Sequence, residues 1–189
     1  MALTGDPQHA LVVIDVQQGF DDPAWGRRDN PDCEDRIAEL IEAWRAAGRP
    51  VVIVRHDSTS PGSPLRPGQP GNDLRDFITD HGIVGDVLIT KSVNSAFYGD
   101  PDLHAWLTDR GITRLTICGV TTNHCCETTA RMAGNLGYDV TFIIDATHTF
   151  DRLAPDGSVI PAEDLSRVTA ANLHGEFATV MMTRDVLAT

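Results

Sequence analysis

Six short hydrophobic runs recur along the chain and predict strands that are buried on both faces. They are His9–Asp15, Val51–His56, Asp86–Thr90, Arg114–Gly119, Asp139–Asp145 and Ala178–Met182. Such runs are typical of a parallel sheet, because helices cover both of its faces. Between the runs we predict helices at Glu34–Ala47, Leu103–Asp109, His124–Leu136 and Glu163–Leu173. The first of these has hydrophobic residues at helical spacing and a glycine, Gly48, directly after it.

This repeated strand–helix order predicts an α/β fold, a three-layer α/β/α sandwich around a central, mostly parallel six-stranded sheet. The length of 189 residues predicts one domain, residues 1–189, that is large enough to bury a core without disulfides or a metal. One stretch rich in Pro, Gly and Ser, Ser58–Gly71, interrupts the pattern. Since strand-like sequence resumes soon after it, we interpret it as an ordered surface loop or lid.

Composition narrows the classes of function. The 27 acidic and 15 basic residues give a net charge of −12. This argues against nucleic-acid and membrane partners, since both bind through Lys and Arg. By steering, it favours cationic small molecules, although the lining residues set a pocket's own field. No apolar run approaches the ~20 residues that cross a bilayer, and Met1–Gln8 lacks a signal-peptide pattern. With four cysteines, we expect a cytoplasmic protein with free thiols.

Three reactive side chains follow three of the predicted strands. Asp15 ends the first strand, Lys91 follows the third, and Cys125 begins a helix after the fourth. Because ligands bind at the carboxyl ends of parallel strands, the three are expected at one edge of the sheet. A helix N-terminus and a nearby ammonium lower the pKa of a thiol, and a carboxylate can accept its proton.

Each of these residues also has a purely structural interpretation. Asp15 could cap a turn, Lys91 could be solvated, and Cys125 could be a small buried hydrophobic residue. Lys91 is the one lysine beside fourteen arginines. That imbalance fits either a coding bias towards arginine or a position that needs a compact ammonium. The combination of acid, amine and thiol favours a catalytic interpretation.

Three segments carry a resemblance to a known family. Asp15-Val16-Gln17 with Phe20, the stretch Lys91–Phe97 (KSVNSAF) and the stretch Gly119–Arg131 (GVTTNHCCETTAR) resemble the motifs of the isochorismatase-like cysteine hydrolases. The resemblance extends from near residue 9 to near residue 182 and implies a Rossmann-like fold. It implies a catalytic triad of Asp15, Lys91 and Cys125, with Cys125 rather than Cys126 as the nucleophile.

The same resemblance implies a cis peptide between Val120 and Thr121. This bond would turn the Thr121 N–H towards the Cys125 N–H, and the two donors would form an oxyanion hole. The family's chemistry then implies an amidohydrolase that cleaves an amide, imide, lactam or ureido C–N bond through a Cys125 thioester. The motif sequences are most similar to those of the nicotinamidase-related and streptothricin-hydrolase-like branches.

Other family reactions fit less well. Isochorismatases proper cleave a vinyl ether and lack the cysteine, so Cys125 argues against that reaction. Nicotinamidases hold a divalent metal with an Asp-x-His pair, whereas this chain reads Arg55-His56-Asp57-Ser58. We therefore expect no metal and no cofactor, with His56 a weak candidate ligand. The expected partner is a small-molecule amide, and the resemblance implies a homodimer or higher homo-oligomer.

Eight further residues are candidates to line the substrate pocket: Gln17, Phe20, Trp25, Asn94, Phe97, His124, His148 and Phe150. A Cys125–His148 dyad is a rival to the lysine triad. Two other classes of function stay open, a thiol-redox protein that uses Cys125 and Cys126 and a catalytically silent small-molecule-binding protein. Zinc is disfavoured because no Cys-x-x-Cys spacing exists.

Overall fold

A computed structural model describes residues 3–79 and 85–188, and its centre is a parallel sheet. The six strands of the sheet are β1 (His9–Ile14), β2 (Val51–His56), β3 (Val87–Lys91), β4 (Arg114–Val120), β5 (Asp139–His148) and, after a short hairpin, β8 (Thr179–Met181). Their order is β3-β2-β1-β4-β5-β8, and every neighbouring pair is parallel. The predicted α/β sandwich is confirmed, with a fully parallel central sheet.

Helices cover both faces of the sheet. They are α1 (Cys33–Ala46), α2 (Asp76–Thr79), α3 (Leu103–Asp109), α4 (Glu127–Asn135), α5 (Ala162–Leu173) and α6 (Thr183–Leu187). Alternate residues of β1 enter two separate cores, as expected of a strand with two buried faces. Val12 packs in the core that includes residues of α3, α4 and α5. Val13 packs in the core that includes residues of α1 and α6.

The predicted elements lie within a few residues of the observed ones, with two kinds of difference. Strand β5 continues to His148, three residues beyond the predicted end. The short helix α2, the hairpin of β6 (Arg152–Leu153) and β7 (Val159–Ile160) and the terminal helix α6 were not predicted, because elements this short carry too little periodicity. None of the helices in the described part of the chain combines the length and apolarity needed to span a membrane.

The Pro-, Gly- and Ser-rich segment is an ordered loop, as predicted. The Ser58 N–H donates to the Leu65 carbonyl at 3.0 Å, and the buried Asn72 side chain donates to the same carbonyl at 2.9 Å. Leu65 is only 4% exposed. Leu65 packs in one hydrophobic cluster with Val120, the last residue of β4, so the loop lies against this end of the sheet.

A glycine lets β1 and β4 approach closely beside the candidate site. Gly119 in β4 has φ of +126°, and a Cβ there would collide with the Ile14 backbone. Ile14 and Gly119 are paired across β1 and β4. The next residues of the two segments, Asp15 and Val120, therefore lie close together at the end of the sheet.

Candidate active site

Asp15 follows β1 directly and is completely buried. Its φ of 51° lies in the left-handed region, which a short polar side chain tolerates better than most. Its N–H still donates to the Val54 carbonyl at 2.9 Å, so the sheet holds the backbone in place. One carboxylate oxygen, Oδ2, lies 2.6 Å from the Lys91 ammonium. The other, Oδ1, is buried without a hydrogen-bond partner among the described residues.

Lys91 is the last residue of β3 and reaches over the end of β2. Its Nζ lies 2.6 Å from Asp15 Oδ2, 3.3 Å from His56 Nδ1 and 3.4 Å from Cys125 Sγ. Burial lowers the pKa of this ammonium, but the electrostatic attraction and hydrogen bonds of Asp15 and Cys125 together outweigh burial and raise it above its usual value. Lys91 is therefore a permanent cation at the centre of the site. A compact ammonium with three donors suits three acceptors arranged around one point.

Cys125 lies in a π-helical turn, Thr122–Cys126, that joins β4 to α4. Burial raises the pKa of the Cys125 thiol, the nearby Asp15 carboxylate raises it further, and Lys91 opposes both. The expectation of a lowered thiol pKa is therefore wrong, because desolvation outweighs the ammonium. The thiol is protonated at rest and points towards the Asn94 side-chain oxygen, 3.6 Å from Sγ. Any reaction that uses this sulfur as a nucleophile would first have to remove the proton.

The raised thiol pKa leads to a prediction about alkylation. We expect the rate of Cys125 labelling by iodoacetamide to keep rising with pH beyond the ordinary thiol pKa of about 8.5. In Lys91→Ala the rate falls at every pH, because the removed charge opposes the upward shift. Labelling should be selective, since Cys33, Cys118 and Cys126 are fully buried whereas Cys125 is 8% exposed. Peptide mass spectrometry after timed quenching measures each rate.

The three buried cysteines serve as internal controls in that experiment. A labelling rate that already reaches its maximum below about pH 7 would instead indicate a stable thiolate–ammonium pair. Labelling of Cys125 no faster than that of the other cysteines would mean that the thiol is inaccessible, and the binding-protein interpretation would then be favoured.

A cavity of about 260 Å³ opens beside the Asp15–Lys91–Cys125 cluster. Five of the eight predicted pocket residues line it, namely Phe20, Trp25, Asn94, His124 and Phe150. Phe20, Trp25 and Phe150 pack together with ring centroids 5.2–6.4 Å apart and give the cavity an apolar wall. Thr121 also lines it, and the peptide between Val120 and Thr121 is cis.

The structure places the other three predicted pocket residues away from the cavity lining. The Gln17 side chain accepts from the His56 N–H at 2.8 Å and donates to the Asn72 carbonyl at 2.8 Å. Phe97 packs in the core and stacks on Tyr138 with ring centroids 5.9 Å apart. These side chains hold the strand ends and loops rather than a ligand.

The third, His148, is fully buried within β5. Its Nε2 lies 3.7 Å from the Glu34 carboxylate, and neither ring nitrogen has a hydrogen-bond partner in the described part of the chain. Burial lowers the pKa of His148 to about 3. No hydrogen bond joins it to Cys125 among the described residues, so the structure does not assemble the rival dyad.

Sequence reasoning missed several lining residues. The sequence motifs indicate His56 only as a weak candidate metal ligand and do not single out Leu65, Thr149 and Arg152, yet all four line the cavity. His56 ends β2 and Thr149 follows β5, so the rule that selects strand ends could have found both. Leu65 and Arg152 lie in a loop and a hairpin whose positions no local pattern specifies.

One group of donor atoms has the spacing of a metal site. Within the described residues, one donor atom each from Asp15, His56 and Cys125 lies within 4.8 Å of the others. The Lys91 ammonium already contacts all three of these residues. A metal ion at this point would lie beside a buried ammonium of like charge, so these residues do not fit a metal.

Comparison with known proteins identifies the family to which this chain belongs. The model of the isochorismatase domain matches residues 9–182. The chain belongs to the isochorismatase family. A Bacillus subtilis isochorismatase family protein, YrdC, is 37% identical over 182 residues, which cover 96% of each chain. A crystal structure of an isochorismatase-family protein from Chromobacterium violaceum is 38% identical, with a TM-score of 0.89, covering 100% of this chain and 96% of that chain.

Two relatives of this isochorismatase-family hydrolase carry names that state an activity. Nicotinamidase 3 of Arabidopsis thaliana is 32% identical over 180 residues, covering 89% of this chain and 82% of its own. Streptothricin hydrolase of Streptomyces noursei is 34% identical over 180 residues, covering 92% of this chain and 68% of its own. A crystal structure called a cysteine hydrolase, from Pseudomonas syringae, has a TM-score of 0.85 at 26% identity. The match covers 100% of this chain and 96% of that chain.

Proposed function

We propose that this isochorismatase-family hydrolase is a cysteine amidohydrolase that cleaves a C–N bond of a small molecule. The observation that carries the proposal is the Lys91 ammonium, 2.6 Å from Asp15 Oδ2 and 3.4 Å from Cys125 Sγ, at the edge of a ligand-sized cavity. A base, a cation and a thiol in this arrangement suit acyl transfer to sulfur. The names of the nicotinamidase and streptothricin-hydrolase relatives support an amide-type substrate.

In the first half of the proposed reaction, Asp15 accepts the thiol proton. Its Oδ1 has no hydrogen-bond partner among the described residues, while Oδ2 is engaged by Lys91. The proton can therefore pass to Oδ1 without breaking the ion pair. The Cys125 sulfur forms a bond to the carbonyl carbon, and the carbonyl π electrons move to oxygen. The N–H groups of Thr121 and Cys125 are the proposed donors to this oxyanion.

In the second half, the C–N bond breaks and the leaving nitrogen takes the proton from Asp15. A Cys125 thioester and a free amine or ammonia result. Asp15, ionised again, takes a proton from water as the water oxygen attacks the thioester carbon. The carboxylic acid leaves, and the proton returns to the Cys125 sulfur. Lys91 keeps its proton throughout and stabilises the negative charge as it moves between Asp15 and Cys125.

The structure supports this chemistry better than thiol redox chemistry. Cys126, the vicinal partner that a redox function would need, is fully buried and packs in the hydrophobic core. Cys125 and Cys126 are both free thiols. A redox function would also leave the buried Asp15–Lys91 pair without a role.

The proposed function predicts ammonia release and a trapped acyl-enzyme. A panel of small primary amides and terminal ureido compounds is incubated with the protein, and ammonia is measured by an enzyme-coupled assay. Cyclic imides release no ammonia when one C–N bond breaks, so their ring opening is followed by chromatography. For each active compound, rapid acid quenching followed by intact mass spectrometry should show the acyl group added to the protein. Peptide mapping should place the acyl group on Cys125, because only the thioester mechanism modifies that side chain.

Hydrolysis in ¹⁸O-labelled water verifies that water is the final acceptor of the acyl group, whereas the Cys125 adduct distinguishes covalent catalysis from direct attack by water. One labelled oxygen in the product acid is expected, since water attacks only the thioester carbon. Ammonia release without any adduct on Cys125, in wild type and under every quench time, would contradict covalent catalysis. Failure of the whole panel to release ammonia would favour the silent binding protein.

A further inference from the structure

The Arg152 guanidinium is a positive charge at the cavity, and no carboxylate of the described residues pairs with it. It begins strand β6, is exposed and lines the cavity. Across residues 3–79 and 85–188, no carboxylate lies within ion-pair distance of Arg152, although the whole chain carries a net charge of −12. The neighbouring Asp151 is not free to pair with it. Arg27 binds both Asp151 oxygens at 2.6 Å and 3.0 Å, and one of these oxygens also accepts from the Ala162 N–H.

His124 holds the Arg152 guanidinium at the cavity. Arg152 Nη2 lies 3.4 Å from His124 Nε2, and His124 Nδ1 lies 3.2 Å from the Thr121 hydroxyl oxygen. A guanidinium has only donors, so Nε2 must accept and the proton of the neutral ring lies on Nδ1. Burial, followed by the charge of Arg152, lowers the pKa of His124 and keeps the ring neutral. One guanidinium N–H is thus anchored, and the rest of its donor fork is available.

The charges that line the cavity leave an excess of one positive charge at Arg152. The Asp15 carboxylate is paired with Lys91. His56 and His124 both have pKa values lowered by burial and are neutral. Arg152 is therefore the uncompensated charge among the described lining residues. The cavity therefore carries a positive field that favours anionic ligands, whereas the acidic composition of the whole chain favours cationic ones by long-range steering.

We propose that Arg152, positioned by His124, binds a carboxylate of the substrate. This inference rests on the proposed amidohydrolase function and specifies its substrate class: an amide with a small apolar body that packs on the aromatic wall and a carboxylate remote from the scissile C–N bond. The planar fork of a guanidinium matches the two oxygens of a carboxylate, and a bidentate, charge-assisted pair of this kind is stronger than a hydrogen bond between neutral groups.

Two alkylating agents test the charge preference without knowledge of the substrate. Iodoacetate and iodoacetamide have nearly the same size and differ in charge. The ratio of their rates at Cys125 is compared between wild type, Arg152→Gln and Arg110→Gln. Arg110 is the matched control, since it lies over the Trp106 ring on the surface and does not line the cavity. We expect the iodoacetate-to-iodoacetamide ratio to fall about tenfold in Arg152→Gln and to stay at the wild-type value in Arg110→Gln.

A pair of substrates tests the same site during turnover. 4-Carbamoylbenzoate and 4-acetylbenzamide present the same amide on the same ring, with and without a carboxylate. Wild type is expected to favour the carboxylate by at least tenfold in kcat/KM, and Arg152→Glu is expected to reverse this order. Equal alkylation ratios in wild type and Arg152→Gln would overturn the carboxylate site. A changed alkylation ratio with no ammonia from any amide would instead retain the site and overturn the amidohydrolase function.

Discussion

Replacement of Cys125 by alanine is expected to abolish amide hydrolysis, whereas replacement of Cys126 is expected to leave most of it. The two cysteines are adjacent, yet their surroundings differ. Cys125 lines the cavity and lies 3.4 Å from the Lys91 ammonium. Cys126 is fully buried in the core. Loss of a catalytic nucleophile lowers kcat by roughly 10⁴–10⁶-fold, and ammonia release from an active amide measures the loss.

The Cys126→Ala variant is the matched control, because it removes the same atoms one residue away. Its expected cost is one of stability, about 1 kcal/mol in the free energy of unfolding, from the small space left in the core. Urea unfolding measured beside the activity separates the two effects. Equal losses of activity in both variants, at equal stability, would contradict the assignment of Cys125 as the nucleophile.

Replacement of Lys91 by methionine is expected to damage both stability and activity. The side chains of Lys91 and Asp15 are each 0% exposed and lie 2.6 Å apart. Removing one partner leaves the other charge buried and unpaired, which costs about 3–5 kcal/mol of folding free energy. Hydrolysis should fall by roughly 10²–10⁴-fold, since the charge that assists proton transfer is lost. Urea unfolding and ammonia release measure the two losses.

The double variant Asp15→Asn with Lys91→Met separates stability from catalysis. Without the carboxylate there is no unpaired charge, so the double variant should be more stable than Lys91→Met alone. Its activity should stay as low, because both the base and the cation are absent. A double variant no more stable than Lys91→Met would contradict the interpretation of Asp15 and Lys91 as a coupled buried pair.

The pH dependence of stability provides a further check on this pair. The pKa of Lys91 is raised in the folded protein. The stability it contributes is therefore complete below its unfolded pKa of about 10.4 and is lost as pH rises through the raised folded value. The stability that this ammonium contributes to the wild-type protein should accordingly be constant near neutral pH and be lost only in strong alkali, as measured by urea unfolding across pH.

The amino-acid sequence by itself determined the layered architecture and the grouping of the three reactive residues. Six apolar runs are sufficient to predict a parallel sheet, because only a strand with two covered faces can be apolar throughout. In such a sheet, all strands end at the same edge. The positions of Asp15, Lys91 and Cys125 at or after strand ends therefore place them together without knowledge of the loops.

Which other strand-end side chains face the cavity was decided only by the tertiary structure. Phe150 lines the cavity while His148, two residues earlier in the chain, is buried beside Glu34. Gln17 and Phe97 follow β1 and β3 as predicted, yet both are held by loops and by the core. The direction of a side chain beyond a strand end depends on how the chain turns there, and contacts with distant segments determine that turn.

The protonation of the site likewise depends on the tertiary structure. The local pattern, a cysteine at the start of a helix with a lysine in the same site, predicts a lowered thiol pKa. The assembled protein raises the pKa of Cys125, because packing around the sulfur removes water and brings Asp15 close. The position of Arg152 at the cavity also depends on the tertiary structure, since a two-residue strand has no sequence periodicity from which its place could be predicted. The sequence determines which groups end at one edge of the sheet, whereas desolvation and charge pairing are properties of the whole packed chain.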